Sequence, residues 1–139
     1  MNNFLSCIFA KINVMKEDFY FLKNKAEKFM EMADVAIEKG HYDLASLNLE
    51  QAAQLFLKYT IGIYVGDFPR THDIEELLTT TGKIMKHDEI QKLISEEKDA
   101  IKDLYKSYFD SRYFDEPFTL QQVEKLKNLV LTIKKIIEV

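Results

Sequence analysis

Of the 19 basic residues in this 139-residue sequence only two, Arg70 and Arg112, are arginines. Arg112 stands in the run Tyr105, Tyr108, Phe109, Ser111, Arg112, Tyr113, Phe114 and Asp115. Tyr105, Tyr108 and Arg112 fall at i, i+3 and i+7, so a helix sets all three on one face. A phenol both donates and accepts a hydrogen bond, and a guanidinium presents a planar fork of donors suited to phosphate, which a lysine lacks. Aromatic rings beside an arginine also stack on bases. The bland account of the same spacing is structural: tyrosines with satisfied hydroxyls in a core or interface, and Arg112 capping carbonyls or pairing with Asp115. Spacing alone leaves both open.

Two further segments carry polar chemistry. Phe68-Pro69-Arg70-Thr71-His72-Asp73-Ile74 joins two helical patterns, and Gln51, Gln54 and Lys58 lie at i, i+3 and i+7 on an otherwise apolar segment. Elsewhere the signals are absent: there is no Gly-rich phosphate loop, no HExxH, no paired-carboxylate motif and no Ser/His/Asp order. His41, His72 and His87 each stand beside an expected helix end and read first as exposed boundary residues. No catalytic residue, metal-ligand set or cofactor is assigned.

The elements that position these residues are helical. Phe19, Leu22, Ala26, Phe29, Ala33 and Ala36 alternate in steps of three and four, predicting a helix over about Glu17–Lys39 that Gly40 closes. The second, about Tyr42–Val65, carries Ala45, Leu49, Ala52, Phe56, Tyr59 and Ile63, with Leu44, Leu47, Leu55 and Leu57 outside that seam. A helix apolar on more than one face belongs at the centre. A short third helix is expected over about Asp73–Thr81, capped by Thr71 or Asp73 and closed by Gly82, with Asp73 and Glu76 at capping-box spacing. The fourth spans about Asp88–Phe109, and the fifth follows a Thr119/Gln122 capping box. The expected fold is all-α: an up-and-down antiparallel bundle of four main helices plus one short one.

Hydrophobic residues make 47% of the chain and charged residues 30%, enough for one core without disulfides or metal. The single cysteine, Cys7, cannot bridge internally, in keeping with a reducing, cytoplasmic setting. A net charge of -4 with dispersed lysines speaks against a broad grip on nucleic acid. Phe4–Met15 is apolar, but Lys11 interrupts it and it is too short to span a bilayer. Residues 1–16 therefore read as an N-terminal arm or extension, and residues 17–139 as the bundle domain, with no membrane partner.

Taken in order, these segments resemble the HEPN family. The resemblance runs from about Phe21 to the C-terminus. It rests on Ala33-Asp34-Val35-Ala36-Ile37-Glu38-Lys39-Gly40, Gln51-Ala52-Ala53 with Lys58, Thr71-His72-Asp73-Ile74 with Leu77-Leu78, and Tyr108 with Ser111-Arg112-Tyr113 and Asp115. It implies a bundle that pairs as a symmetric homodimer through helices near the arginine. One branch of the family builds a metal-independent ribonuclease site from that arginine and a histidine four to six residues later. In another, a minimal HEPN protein pairs with a small nucleotidyltransferase, often as a toxin–antitoxin module, and related domains are proposed to bind nucleotides.

The residues after Arg112 are Tyr113, Phe114, Asp115, Glu116, Pro117, Phe118 and Thr119, so the histidine of the ribonuclease branch is missing. Gln54 stands where many relatives carry a glutamate. The leading expectation is a non-catalytic dimeric binding subunit, partner of a nucleotidyltransferase or holder of a nucleotide. Its surface would comprise Arg112, Tyr105, Tyr108, Lys58, Gln54, Gln51 and His72. The alternatives are a divergent ribonuclease acting on RNA, with His72 or a tyrosine replacing the histidine, and a structural adaptor without ligand.

Overall fold

A computed structural model describes residues 3–113, 115 and 117–138, with side chains from Lys16 onward. Among the described residues the secondary structure is helical throughout: α1 (Asn3–Glu38), α2 (Tyr42–Val65), α3 (Ile74–Met85), α4 (Asp88–Glu96), α5 (Lys98–Tyr113) and α6 (Leu120–Ile137). The all-α bundle expected from the periodicity is the observed fold.

The helix α2 forms its centre, packing against α1, α3, α5 and α6. Its excess of apolar residues explains this position, because Ala45, Leu49, Ala52, Ala53, Phe56, Leu57, Ile61 and Ile63 are all buried. On α1, Leu22, Ala26, Ala33 and Ala36 of the expected seam are buried, while Phe19 and Phe29 are half-buried and Met30 takes the buried place beside Phe29. Gly40 makes the turn between the two at φ 75, where a side chain is disfavoured, and the His41 amide donates back to the Ala36 carbonyl at 2.8 Å. At the other end the helices approach closely: a Cβ on Gly62 would stand 2.9 Å from the ring of Phe19.

The caps follow the sequence. The Asp73 carboxylate accepts from the amides of Glu75 and Glu76. Glu76 does not return to the Asp73 amide; it accepts from the Thr71 hydroxyl, and that hydroxyl in turn accepts from the Asp73 amide. The Thr119/Gln122 capping box opens α6 in both directions.

Three boundaries differ from expectation. The first helix begins at Asn3, not near Glu17. No glycine or proline interrupts residues 3–16, so nothing in that stretch ends the helix. Residues 1 and 2 and the side chains of residues 3–15, Cys7 included, lie outside what is described. The third helix runs through Gly82 to Met85 and ends at Lys86 with φ 52. Gly82 is buried where α4 crosses it, its Cβ position 3.1 Å from Ile90 and Gln91. The expected fourth helix divides at Glu97 into α4 and α5. The run Ser95-Glu96-Glu97-Lys98-Asp99 offers no apolar side chain to hold a turn against the core, so the break re-aims Ile101 and Leu104 inward.

Candidate functional site

Along the side of α2 that meets α5, every fourth residue is polar and buried: Ser46, Glu50, Gln54 and Lys58. At its start Ser46 and Ser111 of α5 join hydroxyls at 2.8 Å. Ser107, one turn earlier on α5, donates to the Asp103 carbonyl at 3.0 Å. These small hydroxyls let the two helices approach while satisfying their own donors.

Glu50 is 0% exposed. Its carboxylate accepts one hydrogen bond from the Gln54 amide and another, at 2.9 Å, from the Gln51 amide. Burial pushes the carboxyl up from 4.5 to about 7, against the opposing pull of both amides and of the positive charges on Lys58 and Arg112. Burial and nearby Arg70 hold the Lys58 ammonium below its ordinary value, while Glu50 pulls it the other way. The row therefore carries a carboxyl, Glu50, whose charge near neutral pH depends on its neighbours.

From Gln54 the network runs outward. Its side-chain oxygen lies 3.1 Å from His72 Nδ1. The imidazole stacks on Tyr108, ring centres 4.9 Å apart and planes 18° from parallel. The Arg112 guanidinium lies 5.0 Å from the centre of that same Tyr108 ring and 4.9 Å from that of Tyr113, to whose hydroxyl it donates at 2.7 Å. Phe109 meets Tyr108 edge-on at 5.0 Å and Tyr105 edge-on at 6.1 Å.

Of the residues singled out in the sequence, the fold thus joins Gln51, Gln54, His72, Tyr108 and Arg112 in one chain of contacts, through Glu50. Lys58 reaches it through the field of its charge on Glu50. Tyr105 stands one step further out, linked by way of Phe109. The pairing of Arg112 with Asp115 offered by the structural account is not seen: among the described residues no carboxylate forms an ion pair with it. Phe114, counted in the aromatic run, lies outside the described residues.

The sequence reading passed over Glu50, the residue at the centre of the network, and its companions Ser46 and Ser107, and named Ser111 only within the run around Arg112. The signal was present in the four-residue steps Ser46, Glu50, Gln54 and Lys58, which form one continuous ridge winding along the helix.

The network has an inner and an outer half. Among the described residues no buried side-chain nitrogen or oxygen lacks a partner, so the inner half around Glu50 is complete without any ligand. The outer half is open: Arg112 and His72 are exposed, and so are Phe109 (44%) and Tyr113 (65%) beside them. Such a surface presents cationic N–H donors, an imidazole edge and aromatic faces together, the groups that engage a phosphate and stack on a base. Among the described residues there is no cluster of His, Cys, Asp and Glu able to hold a metal ion, and no helix long and apolar enough to cross a membrane.

Residues 19–139 match the family model described as HEPN domain. No curated protein matches the chain.

Proposed function

The chain belongs to the HEPN family, and from that footing we propose that it is a non-catalytic binding subunit: a homodimer that partners a small nucleotidyltransferase, in a toxin–antitoxin-like module, and presents the Arg112 surface to a nucleotide. The observation that carries this reading is the setting of Arg112. Its guanidinium is exposed, laid against Tyr108 and Tyr113, and unpaired by any carboxylate among the described residues. An arginine held by ring stacking keeps most of its five donors for an anion. The exposed ring of Phe109 is an apolar border that isologous pairing of two copies would cover.

The absence of a histidine after Arg112 supports the non-catalytic reading, since proton transfer by a positioned side chain contributes about 10²–10⁴-fold to cleavage rates. One observation favours a second reading, a divergent ribonuclease: an imidazole, that of His72, rests on the ring that Arg112 covers. One preparation separates the two. Co-expression with a small nucleotidyltransferase encoded beside this chain should give a complex that Arg112→Ala weakens, with no cutting of single-stranded RNA by wild type. RNA cleavage abolished by Arg112→Ala, with no such complex, would establish the ribonuclease instead.

A further inference from the structure

One amide, that of Gln54, controls what His72 shows to solvent. Gln54 Nε2 donates to Glu50, and an ionised carboxylate can only accept. The Gln51 amide donates to the other carboxylate oxygen, so both oxygens are engaged as acceptors. The Gln54 oxygen is thereby turned to His72, 3.1 Å from Nδ1. A carbonyl oxygen has no proton to give, so Nδ1 must carry one. In a neutral imidazole the other nitrogen, Nε2, is then a bare acceptor. Nδ1 is aimed at the buried row while the residue as a whole is exposed, which leaves Nε2 on the solvent side. Stacking on Tyr108 fixes the ring plane, and the Arg112 guanidinium lies against the same phenol.

Resting on the reading of Arg112 as an anion-facing group, we propose that Glu50 and Gln54 are positioning residues that lock His72 in its Nδ1–H form, and that the surface takes a ribonucleotide, its phosphate on the Arg112 fork and a ribose hydroxyl donating to His72 Nε2. The chemistry on each side dictates the class. Arg112 asks for an anion, the bare Nε2 for a hydrogen-bond donor, and the exposed ring of Tyr113 for a planar ring. A ribonucleotide carries all three within one small molecule. A phosphate alone satisfies only the first.

The lock is read without any ligand. Long-range proton–nitrogen correlation spectra of the full chain, uniformly labelled with ¹⁵N in mildly alkaline buffer, should show His72 protonated at Nδ1 and bare at Nε2. Gln54→Leu, and to a lesser degree Glu50→Gln, should return His72 toward the Nε2–H form that a free imidazole prefers. A wild-type spectrum showing Nε2–H overturns the lock, whether or not the variants fold. The ligand class is read by calorimetric titration with adenosine monophosphate and with its 2′,3′-dideoxy counterpart. The ribonucleotide should bind about fivefold tighter, the fold-change of one net hydrogen bond, and His72→Phe, which keeps a ring on Tyr108, should erase that difference. Equal affinities in wild type overturn the inference while leaving the Arg112 surface standing. If neither compound binds, both the inference and the nucleotide reading beneath it fail.

Discussion

Two of the seams that α2 makes, with α1 and with α5, are both buried and are built on opposite principles. Against α1 the chain uses small and apolar residues: Ala26, Ala33 and Ala36 on one helix, Ala45 and Ala52 among the buried residues of the other, and Gly62 beneath the Phe19 ring. Against α5 and the loop before α3 it uses Ser46, Glu50 and Gln54, joined to Ser111 and His72. The first seam is satisfied by shape alone. The second needs every hydrogen bond in place, since a buried polar group without a partner loses its solvation for nothing. Well-packed apolar residues of similar volume are often as stable as a buried charged network, or more so. Stability therefore explains the α1 seam and leaves the α5 seam unexplained, and the open, cationic end of that second seam is where a function fits.

The largest break in this contrast should come from Phe56, buried on the apolar side with the Lys134 ammonium 5.7 Å from its ring centre. Phe56→Ala is expected to destabilise by about 3–5 kcal/mol, measured by denaturant unfolding. A loss below about 1 kcal/mol would mean that the core collapses around the gap and that shape counts for less than argued.

Glu50 supplies the corresponding test of the polar seam. Its carboxyl is raised from 4.5 to about 7 in the folded chain, so the folded state binds a proton more tightly than the unfolded one. The sign follows: this contribution to stability is fully present below 4.5 and is lost as pH rises through about 7. The loss is on the order of 3 kcal/mol. Wild type should therefore lose melting temperature between mildly acid and mildly alkaline buffer relative to Glu50→Gln, whose profile should be flatter. Parallel profiles would show that Glu50 does not titrate in this window.

Gly62→Val pushes a side chain into the Phe19 ring and should cost about 1–3 kcal/mol, with the spectrum of His72 unchanged. A shift at His72 would show that the seams are coupled. The smallest effect belongs to Asp73, whose carboxylate caps α3. Asp73→Ala should cost about 1 kcal/mol by thermal unfolding, and a larger loss would mean that the cap also holds His72 in place.

How far the sequence could be read follows the same division. Where one physical signal decided an element, the reading was right: α2 runs Tyr42–Val65 as its apolar excess required, Gly40 takes the left-handed turn, and Thr119 with Gln122 opens α6. Where two signals competed, it erred. Gly82 looked like a stop, yet its missing side chain serves the approach of α4. Asp88 to Phe109 looked continuous, yet the charged run around Glu97 has nothing to bury. Arg112 was singled out as one of only two arginines and Tyr108 by its helical spacing from it, while His72 read first as a boundary residue. Glu50 was not singled out, because one carboxylate on a helix reads as solvated until the fold shows it at 0% exposure. Contacts between α2, α5 and the loop before α3 span 18 to 65 residues of sequence, a separation at which no local pattern signals a pairing.

The central claim is that the outer end of the polar seam binds and the inner end only supports it. Arg112→Lys tests this most directly, because it keeps the charge and loses the planar fork. Light scattering, thermal unfolding and adenosine monophosphate titration on wild type and variant together give the answer. The account predicts an unchanged dimer, a melting temperature within the shift of about 0.5 kcal/mol usual for a surface substitution, and nucleotide affinity reduced severalfold. A variant that falls to monomers or melts well below wild type, with no nucleotide binding in either protein, would contradict it and make Arg112 a part of the architecture.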